Sequence, residues 1–536
     1  MSIAAPAAPA YGTRADDGPD PLRAPEHASQ PQRHRRAGIL LLLTLLIPGG
    51  AQAVAGNRSL GRVALRVTLS VWGVLLVLGV LGLLARGFLF SILTHPFVQL
   101  LAVGALFALA IGWALLWLDT FRLIQLRLLT PTAQKVTAVA TVLALILTSG
   151  GLSVAGWALN ASRSTLGTIF GSGPALEEHE GRYNVLIMGG DAGEGRTGLR
   201  PDSIHVASVD ARTGSTVLFS IPRNFQNAPF EDGSPLWDVY PEGYNCGDAC
   251  IINALYMDVM NQHQDLFPGA RDPGAEAMMD AAGGILGLNM SGYVLVDMGG
   301  FEQLIDAMGG ITITTGGWVT HRGQRPDGQW GNIWWQPGTY TFDGADALAY
   351  ARSRKFSTDY SRIRRQQCMQ QAMLQQFTPA TVLTRFQGIL DAGEQIVETN
   401  VPQSQLGQFV DLAEKSRSQQ MRRLTIGAPD FGDASERFTT YPDFDQIHER
   451  VDGLLAEDPQ ASAAGYSPLP VLTMVLASPA QAPGVDEDDP STWPAAPQMY
   501  QGETITPELL MRLEDRGDLS GLALISGTNE LCSPGG

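Results

Sequence analysis

The sequence predicts an α/β protein, an α-β-α sandwich with a central mixed sheet that stands outside a membrane and is preceded by transmembrane helices. Three observations predict it. The N-terminal third is mostly apolar and is a different material from the rest. Strand-like and helix-like segments interleave from about residue 183 onward, which favours a sheet covered by helices on both faces. The charge is divided: through Leu159 there are 12 Lys+Arg against 5 Asp+Glu, net +7, and from Asn160 onward 24 against 48, net −24. At 536 residues the chain exceeds one ordinary domain. The asymmetry fits a basic membrane part and an acidic solvated part, and it argues against nucleic acid as partner of the larger part.

Residues 1–36 are rich in Ala, Pro, Asp and Arg without apolar periodicity and read as a disordered cytoplasmic tail. No cleaved signal peptide is expected, because the first apolar region comes late and three more follow it. The runs lie at roughly 39–55, 67–85, 97–118 and 136–158. The last three approach the ~20 residues that cross a bilayer. The first is shorter and is broken by Pro48-Gly49-Gly50. Arg33, Arg35 and Arg36 precede it, and Arg58, Arg62 and Arg66 follow it. Both of its ends are therefore expected in the cytoplasm, as in a re-entrant or interfacial segment. Arg122, Arg127 and Lys135 put the loop before the fourth run inside as well. Three spans within 37–159 then leave the N-terminus cytoplasmic and everything after about Asn160 extracytoplasmic. A linker over 160–182 leads to a domain over 183–455.

Within that domain Tyr183–Met188 (YNVLIM) is a buried-strand pattern ending in Gly189-Gly190. Ser203–Asp210 and Thr216–Ile221 are strands joined by a polar turn around Thr213-Gly214. Asn253–His263 and Ala275–Leu286 read as helices, Tyr293–Asp297 as a strand, Phe301–Met308 as a short helix, and Ile311–Thr315 as a strand. Ala345–Arg354 and Arg362–Phe377 are helices joined by a turn at Ser357-Thr358-Asp359. Gln403–Arg417 and Asp443–Leu455 are further helices, with a strand near Leu424 between them. Residues 456–536 form an acidic Pro/Ala-rich tail, linker-like from about Asp458. It carries a short helical piece at Pro507–Arg516 and a strand-like Leu522–Ile525.

Functional groups in such sheets collect at strand ends. Asp191 lies just past the first strand, Asp202 precedes the second and Arg223 follows the third. A second cluster holds Arg352, Arg354, Lys355, Arg362, Arg364 and Arg365, followed by Gln366. Taken singly, each Asp is a loop cap, each Arg a surface charge, and the basic run a solvated helix face or a juxtamembrane patch. Together they read as a site for pyrophosphate with a metal. Carboxylates suit a hard cation, and the guanidinium fork suits phosphate oxygens.

At this point the sequence resembles the LytR–CpsA–Psr family of cell-wall glycopolymer ligases. The resemblance rests on Gly189-Gly190-Asp191, Arg200-Pro201-Asp202-Ser203, Ile221-Pro222-Arg223-Asn224 and Ile252-Asn253-Ala254-Leu255-Tyr256. It continues through Asp297-Met298-Gly299-Gly300-Phe301, Asp306-Ala307-Met308-Gly309-Gly310-Ile311, Tyr350-Ala351-Arg352-Ser353-Arg354 and Asp359-Tyr360-Ser361-Arg362-Ile363-Arg364-Arg365-Gln366. It covers roughly 183–375 in order. Pro201, Asn224 and Tyr360-Ser361 depart from the family pattern, which has Ser, Asp and Phe-Gly there.

The resemblance implies a phosphotransferase that moves a glycopolymer from a polyprenyl-pyrophosphate carrier onto peptidoglycan through a phosphodiester, with polyprenyl pyrophosphatase activity beside it. It implies Asp191 and Asp202 as ligands of Mg²⁺ or Mn²⁺. It also implies pyrophosphate contacts from Arg200, Arg223, Arg352, Arg354, Arg362 and Gln366, of which Arg223, Arg352 and Arg354, with Asp202, are catalytic. A polyprenyl tail needs an apolar channel. Val206, Val217, Phe219, Leu255, Val294, Val296 and Phe301 are its candidate walls, and ordinary core is the rival reading for each. Asn224 is expected to orient Arg223. The rival for the whole is a non-catalytic module that binds polyprenyl lipid or wall polymer as scaffold or sensor. A transcription regulator conflicts with the external placement and the negative charge.

The four cysteines, Cys246, Cys250, Cys368 and Cys532, all lie in the acidic part. An even count outside the membrane permits two disulfides. Cys246 and Cys250 flank a Gly-Asp-Ala turn and would close a small ring, and Cys368 with Cys532 would tie the tail to the domain. Four free thiols are the alternative.

Overall fold

The structure, a computed structural model, describes residues 23, 25–170, 173–191, 199–247, 249–376, 378, 385, 388–389, 397–433, 437–456, 486, 488–527 and 531–535. Most of the expected N-terminal tail (1–22 and 24) and most of the Pro/Ala-rich linker (457–485) lie outside the described residues. The chain divides into two compact units, Met1–Arg163 and Ser164–Gly536.

In the first unit the first apolar run is not one helix. α1 (Gln30–Leu46) ends before Pro48, and α2 (Gly50–Ala55) is only six residues long. The break needs glycine: Gly49 has φ +95°, and a Cβ there would lie 2.5 Å from the Ala64 Cβ. α1 begins inside the stretch expected to be disordered, because Ser29 caps it with Gln32 reaching back to the cap. Its apolar part spans about ten residues, or about 15 Å, half a bilayer core. Polar groups dock this hairpin. The Thr44 and Thr120 hydroxyls bond at 2.7 Å, Gln52 donates to Thr120 at 3.0 Å, and Arg36 donates to the Leu123 carbonyl at 2.9 Å. These partners lie on α5 (Pro96–Ile124), which follows α3 (Arg58–Leu84) and α4 (Arg86–Thr94) and precedes α6 (Pro131–Leu145) and α7 (Gly151–Ile169). Three helical stretches, Arg58–Leu84, Pro96–Leu128 and Pro131–Gly167, are long and apolar enough to cross a membrane by length and composition.

The second unit is a three-layer α-β-α sandwich. Its strands are β1 (Arg182–Asp191), β2 (Arg200–Asp210), β3 (Thr216–Ser220), β4 (Gly292–Asp297), β9 (Val397–Thr399) and β10 (Arg422–Thr425), in the order β10-β3-β2-β1-β4-β9. β1 runs antiparallel to β2 and parallel to β4, so the sheet is mixed. Alternation sends Leu186, Met188, Ile204, Val206, Tyr293 and Leu295 to one face. There they pack under α8 (Ile252–Gln262), α9 (Pro273–Leu286) and α14 (Phe444–Ala456). α9 shows why such segments form helices: the Asp272 carboxylate accepts the Ala275 N–H at 3.0 Å, Pro273 takes the first position, and Gly287 closes the end at φ +69°.

The other face is covered by α10 (Met298–Met308), α11 (Gly344–Arg352), α12 (Asp359–Gln376) and α13 (Leu406–Arg417). Of the strands that follow α10, the sequence pattern revealed Ile311–Thr315 and not the other three. β5 (Ile311–Thr315) pairs with β8 (Gly338–Phe342), and β6 (Val319–Gln324) makes a hairpin with β7 (Trp330–Trp335).

The segment expected as a tail is built into this unit. β11 (Met499–Tyr500) and β12 (Glu503–Thr504) precede α15 (Pro507–Asp515) and α16 (Leu519–Ser526). The expected strand at Leu522–Ile525 is thus helical. Leu509, Leu510, Leu513, Leu522 and Ile525 bury against Trp318 and Trp334. β13 (Cys532–Pro534) then adds to the edge of β5. Disulfides join Cys246 to Cys250 and Cys368 to Cys532.

Candidate active site

The site forms where β1 and β2 leave the sheet. Gly189 pairs with Ser203 and Gly190 with Pro201, so Asp202 is the extra residue of a bulge on β2. Pro201 has no N–H to offer the ladder. A bulge re-aims side chains, and here it delivers Asp202 into a pocket. Arg223 follows β3 and donates from Nη1 to Asp202 Oδ1 at 2.8 Å. Its Nε lies 3.9 Å from Asp359 Oδ2, and Arg362 Nη2 donates to that same oxygen at 2.9 Å. Four groups thus alternate in sign from Asp202 to Arg362.

Burial alone would raise the Asp202 carboxyl. The Arg223 hydrogen bond and charge, with Arg362 behind, outweigh it and hold the group below its ordinary value. Arg362 is 4% exposed. Burial pulls its guanidinium below the ordinary value despite Asp359, and its Nε has no hydrogen-bond partner among the described residues. Beneath it the imidazole of His205 bonds Ser220 at 2.7 Å, and burial lowers its pKa to about 4, so it is neutral.

The pocket holds about 240 Å³ between sheet, α10, α11 and α12. Asp202, Arg352, Arg354, Arg362 and Gln366 line it together with Ile187, Val296, Met298, Phe301, Leu304, Leu348, Met369 and Met373. Arg352 and Arg354 are exposed at its rim. Gln366 sits one helical turn past Arg362. Arg200 is exposed at the start of β2 and is not among the lining residues. The backbone of Asp191 pairs with that of Arg200, and the Asp191 side chain lies outside the described residues.

The apolar wall differs from the expected one. Val296 and Phe301 line the pocket, and Val294 shares the Val296 face by alternation. Val206, Val217, Phe219 and Leu255 are core on the opposite side of the sheet. Both faces of these strands are buried, so an apolar run does not declare which face meets a cavity. The methionines of the wall went unread, although Met369 and Met373 stand four apart on α12, a spacing that puts both on one face. Asp359 also went unread, although its spacing to Arg362 is the i,i+3 spacing of a helical ion pair.

The expected role of Asn224 is not what the geometry gives. Asn224 is exposed, and the carboxylates of Asp202 and Asp359 hold Arg223. Among the described residues no hydrogen bond joins Asn224 to Arg223. Asn224→Ala is therefore expected to change turnover by less than about threefold, in the range of a surface change. A loss comparable to that of Arg223→Ala would contradict this.

An α-β-α sandwich with an arginine-mouthed apolar pocket at the ends of its central strands is the class that fold and site define. The family model described as LytR_cpsA_psr family matches residues 160–450, more than half of the chain, and the chain belongs to that family. It is 27% identical over 222 residues to the polyisoprenyl-teichoic acid–peptidoglycan teichoic acid transferase TagU of Halalkalibacterium halodurans, covering 41% of this chain and 61% of the relative. It is 26% identical over 223 residues to the transferase TagV of Bacillus subtilis, covering 41% of this chain and 50% of the relative. The chain thus spans less than two thirds of these relatives' length. The crystal structure of B. subtilis TagV aligns with a TM-score of 0.35 and 20% identity, over 51% of this chain and 99% of that one.

Proposed function

We propose that the chain is a phosphotransferase that moves a glycopolymer from a polyprenyl-pyrophosphate carrier onto peptidoglycan. The observation that carries this reading is the gradient along α12. Arg362, Gln366, Met369 and Met373 face one pocket in that order, so about 16 Å of helix passes from phosphate-binding to apolar. A pyrophosphate head on an apolar chain has the same gradient. Flexible thioethers suit a prenyl chain of irregular shape. The names of the relatives, transferases acting on polyisoprenyl-linked teichoic acid, support the same reading.

In this reading an acceptor hydroxyl attacks the phosphorus that bears the glycan. The P–O–P bond breaks, polyprenyl phosphate leaves, the hydroxyl proton is released, and a phosphodiester forms. Arg223 and Arg362 neutralise charge on the equatorial and leaving oxygens, and Arg352 and Arg354 close the mouth. The residues present fit a divalent cation. Asp202 is ionised and supplies hard oxygen, and Asp191 follows on the neighbouring strand. Among the described residues no group of three or more potential ligands gathers. One or two carboxylates completed by phosphate oxygens and water are how Mg²⁺ is usually held. Bound there, Mg²⁺ or Mn²⁺ would neutralise the pyrophosphate.

The deciding assay incubates the full-length chain with geranylgeranyl pyrophosphate and Mg²⁺. Phosphate release that disappears with chelator is expected, since water can replace the acceptor. Binding without release would make the chain a lipid-binding module. The same reading puts the N-terminus inside and the catalytic unit outside, with three spans. A cysteine introduced beside Arg58 should then resist an impermeant thiol reagent on intact cells, and its labelling would overturn the topology.

A further inference from the structure

We propose that the C-terminal helical pair positions the arginine segment at the pocket mouth, with Glu514 as the positioning residue; this rests on the phosphotransferase reading above. Arg352 ends α11 and Arg354 stands two residues on, both exposed and both lining the pocket. Among the described residues no ion pair holds Arg354. Its placement therefore falls to the backbone that carries it.

That backbone is gripped from outside. The Ser353 hydroxyl donates to the Thr320 carbonyl on β6. Lys355 Nζ meets Glu514 Oε1 at 2.8 Å. Phe356 adopts φ +63°, a left-handed conformation unusual for an aromatic residue. It stacks near Trp334, centroids 6.2 Å apart and planes 14° apart, within the core that α15 and α16 complete.

Glu514 is the node. Its side chain is 16% exposed, and it also receives the Arg325 guanidinium and the Asn332 amide from the β6–β7 hairpin. Three donors from two elements fix one carboxylate. The ion pair also engages Lys355, which is not among the lining residues, and leaves two arginines at the mouth. The planar fork of arginine matches phosphate oxygens where an ammonium acts as a point charge. These contacts span more than 150 residues of sequence, so the last helices of the chain set the geometry of its phosphate-facing loop.

The test uses the full-length chain in detergent with two readouts. The first is hydrogen exchange over residues 352–358. The second is the Kd for geranylgeranyl pyrophosphate. Glu514→Ala is expected to speed exchange in that segment and to raise the Kd roughly tenfold, as displaced positioning groups do. Glu514→Gln should recover part of both. On an Arg354→Ala background, Glu514→Ala should add less than about twofold, because coupled residues are non-additive. Unchanged exchange in the segment overturns the proposal, and so do additive losses, which would leave Glu514 a stabilising residue alone. Phe356→Leu is a second variant that approaches the loop from the aromatic side, with the same expected readouts. A wild-type chain that fails to bind the lipid removes the phosphotransferase reading, and the exchange result then decides the positioning by itself.

Discussion

Arg223→Ala should lower phosphate release by about 10²–10³-fold, the usual cost of losing one donor aimed at charge that grows in a transition state. Arg223 has two roles in one guanidinium. It stands behind the proposed pyrophosphate site, not among the lining residues, and it holds the lining residue Asp202 at 2.8 Å. Removing it takes away the hydrogen bond and the charge that keep the Asp202 carboxyl low, while burial, which raises it, remains. The sign is therefore fixed. In wild type Asp202 stays ionised to a pH below its ordinary value, and in the variant its protonation moves upward. The acid limb of the pH–rate profile should shift to higher pH along with the loss in rate. Arg223→Lys should restore the charge but not the fork, and recover only part. Unchanged release by Arg223→Ala would reject the site.

Leu304→Trp should cut the preference for long prenyl chains roughly a hundredfold. Leu304 is half-buried and lines the pocket from α10. An indole there fills space that the proposed lipid needs. If about four CH₂ groups lose their burial, the cost is about 3 kcal/mol, roughly a hundredfold in affinity. Competition between a C20 and a C5 pyrophosphate, an assay of order ~15 carbons' difference, reads this directly. Wild type should favour the longer chain strongly, and in the variant that preference should fall roughly a hundredfold. An undiminished preference would place the lipid elsewhere.

What the sequence revealed depended on the range of the contacts. Tyr183–Met188, Thr216–Ile221 and Ala275–Leu286 carry local signals, period and punctuation, and fold as read. Arg223 and Arg362 stood out because basic residues are outnumbered two to one in the acidic part, 24 against 48. The bulge at Asp202 was not legible, because register belongs to a pair of strands and not to one. The lipid wall failed for a related reason: Val206 and Phe219 alternate correctly, but nothing local says which buried face has the cavity. Leu522–Ile525 is a short apolar run, which periodicity cannot assign to helix or strand. The β6–β7 hairpin and the C-terminal helices stabilise each other; of these elements only the helix at Pro507–Asp515 carried a local signal.

The bond between Cys368 and Cys532 joins the middle of α12 to the last strand across 164 residues of sequence. α12 carries Arg362 and Gln366, so the covalent circle begins beside the site and returns to it. A peptide bond cut anywhere inside that circle leaves the two fragments a single molecule. A protease that reaches the acidic stretch after α14 would nick this protein without shedding its end. The damage would stay invisible on a gel until a reductant separated the pieces.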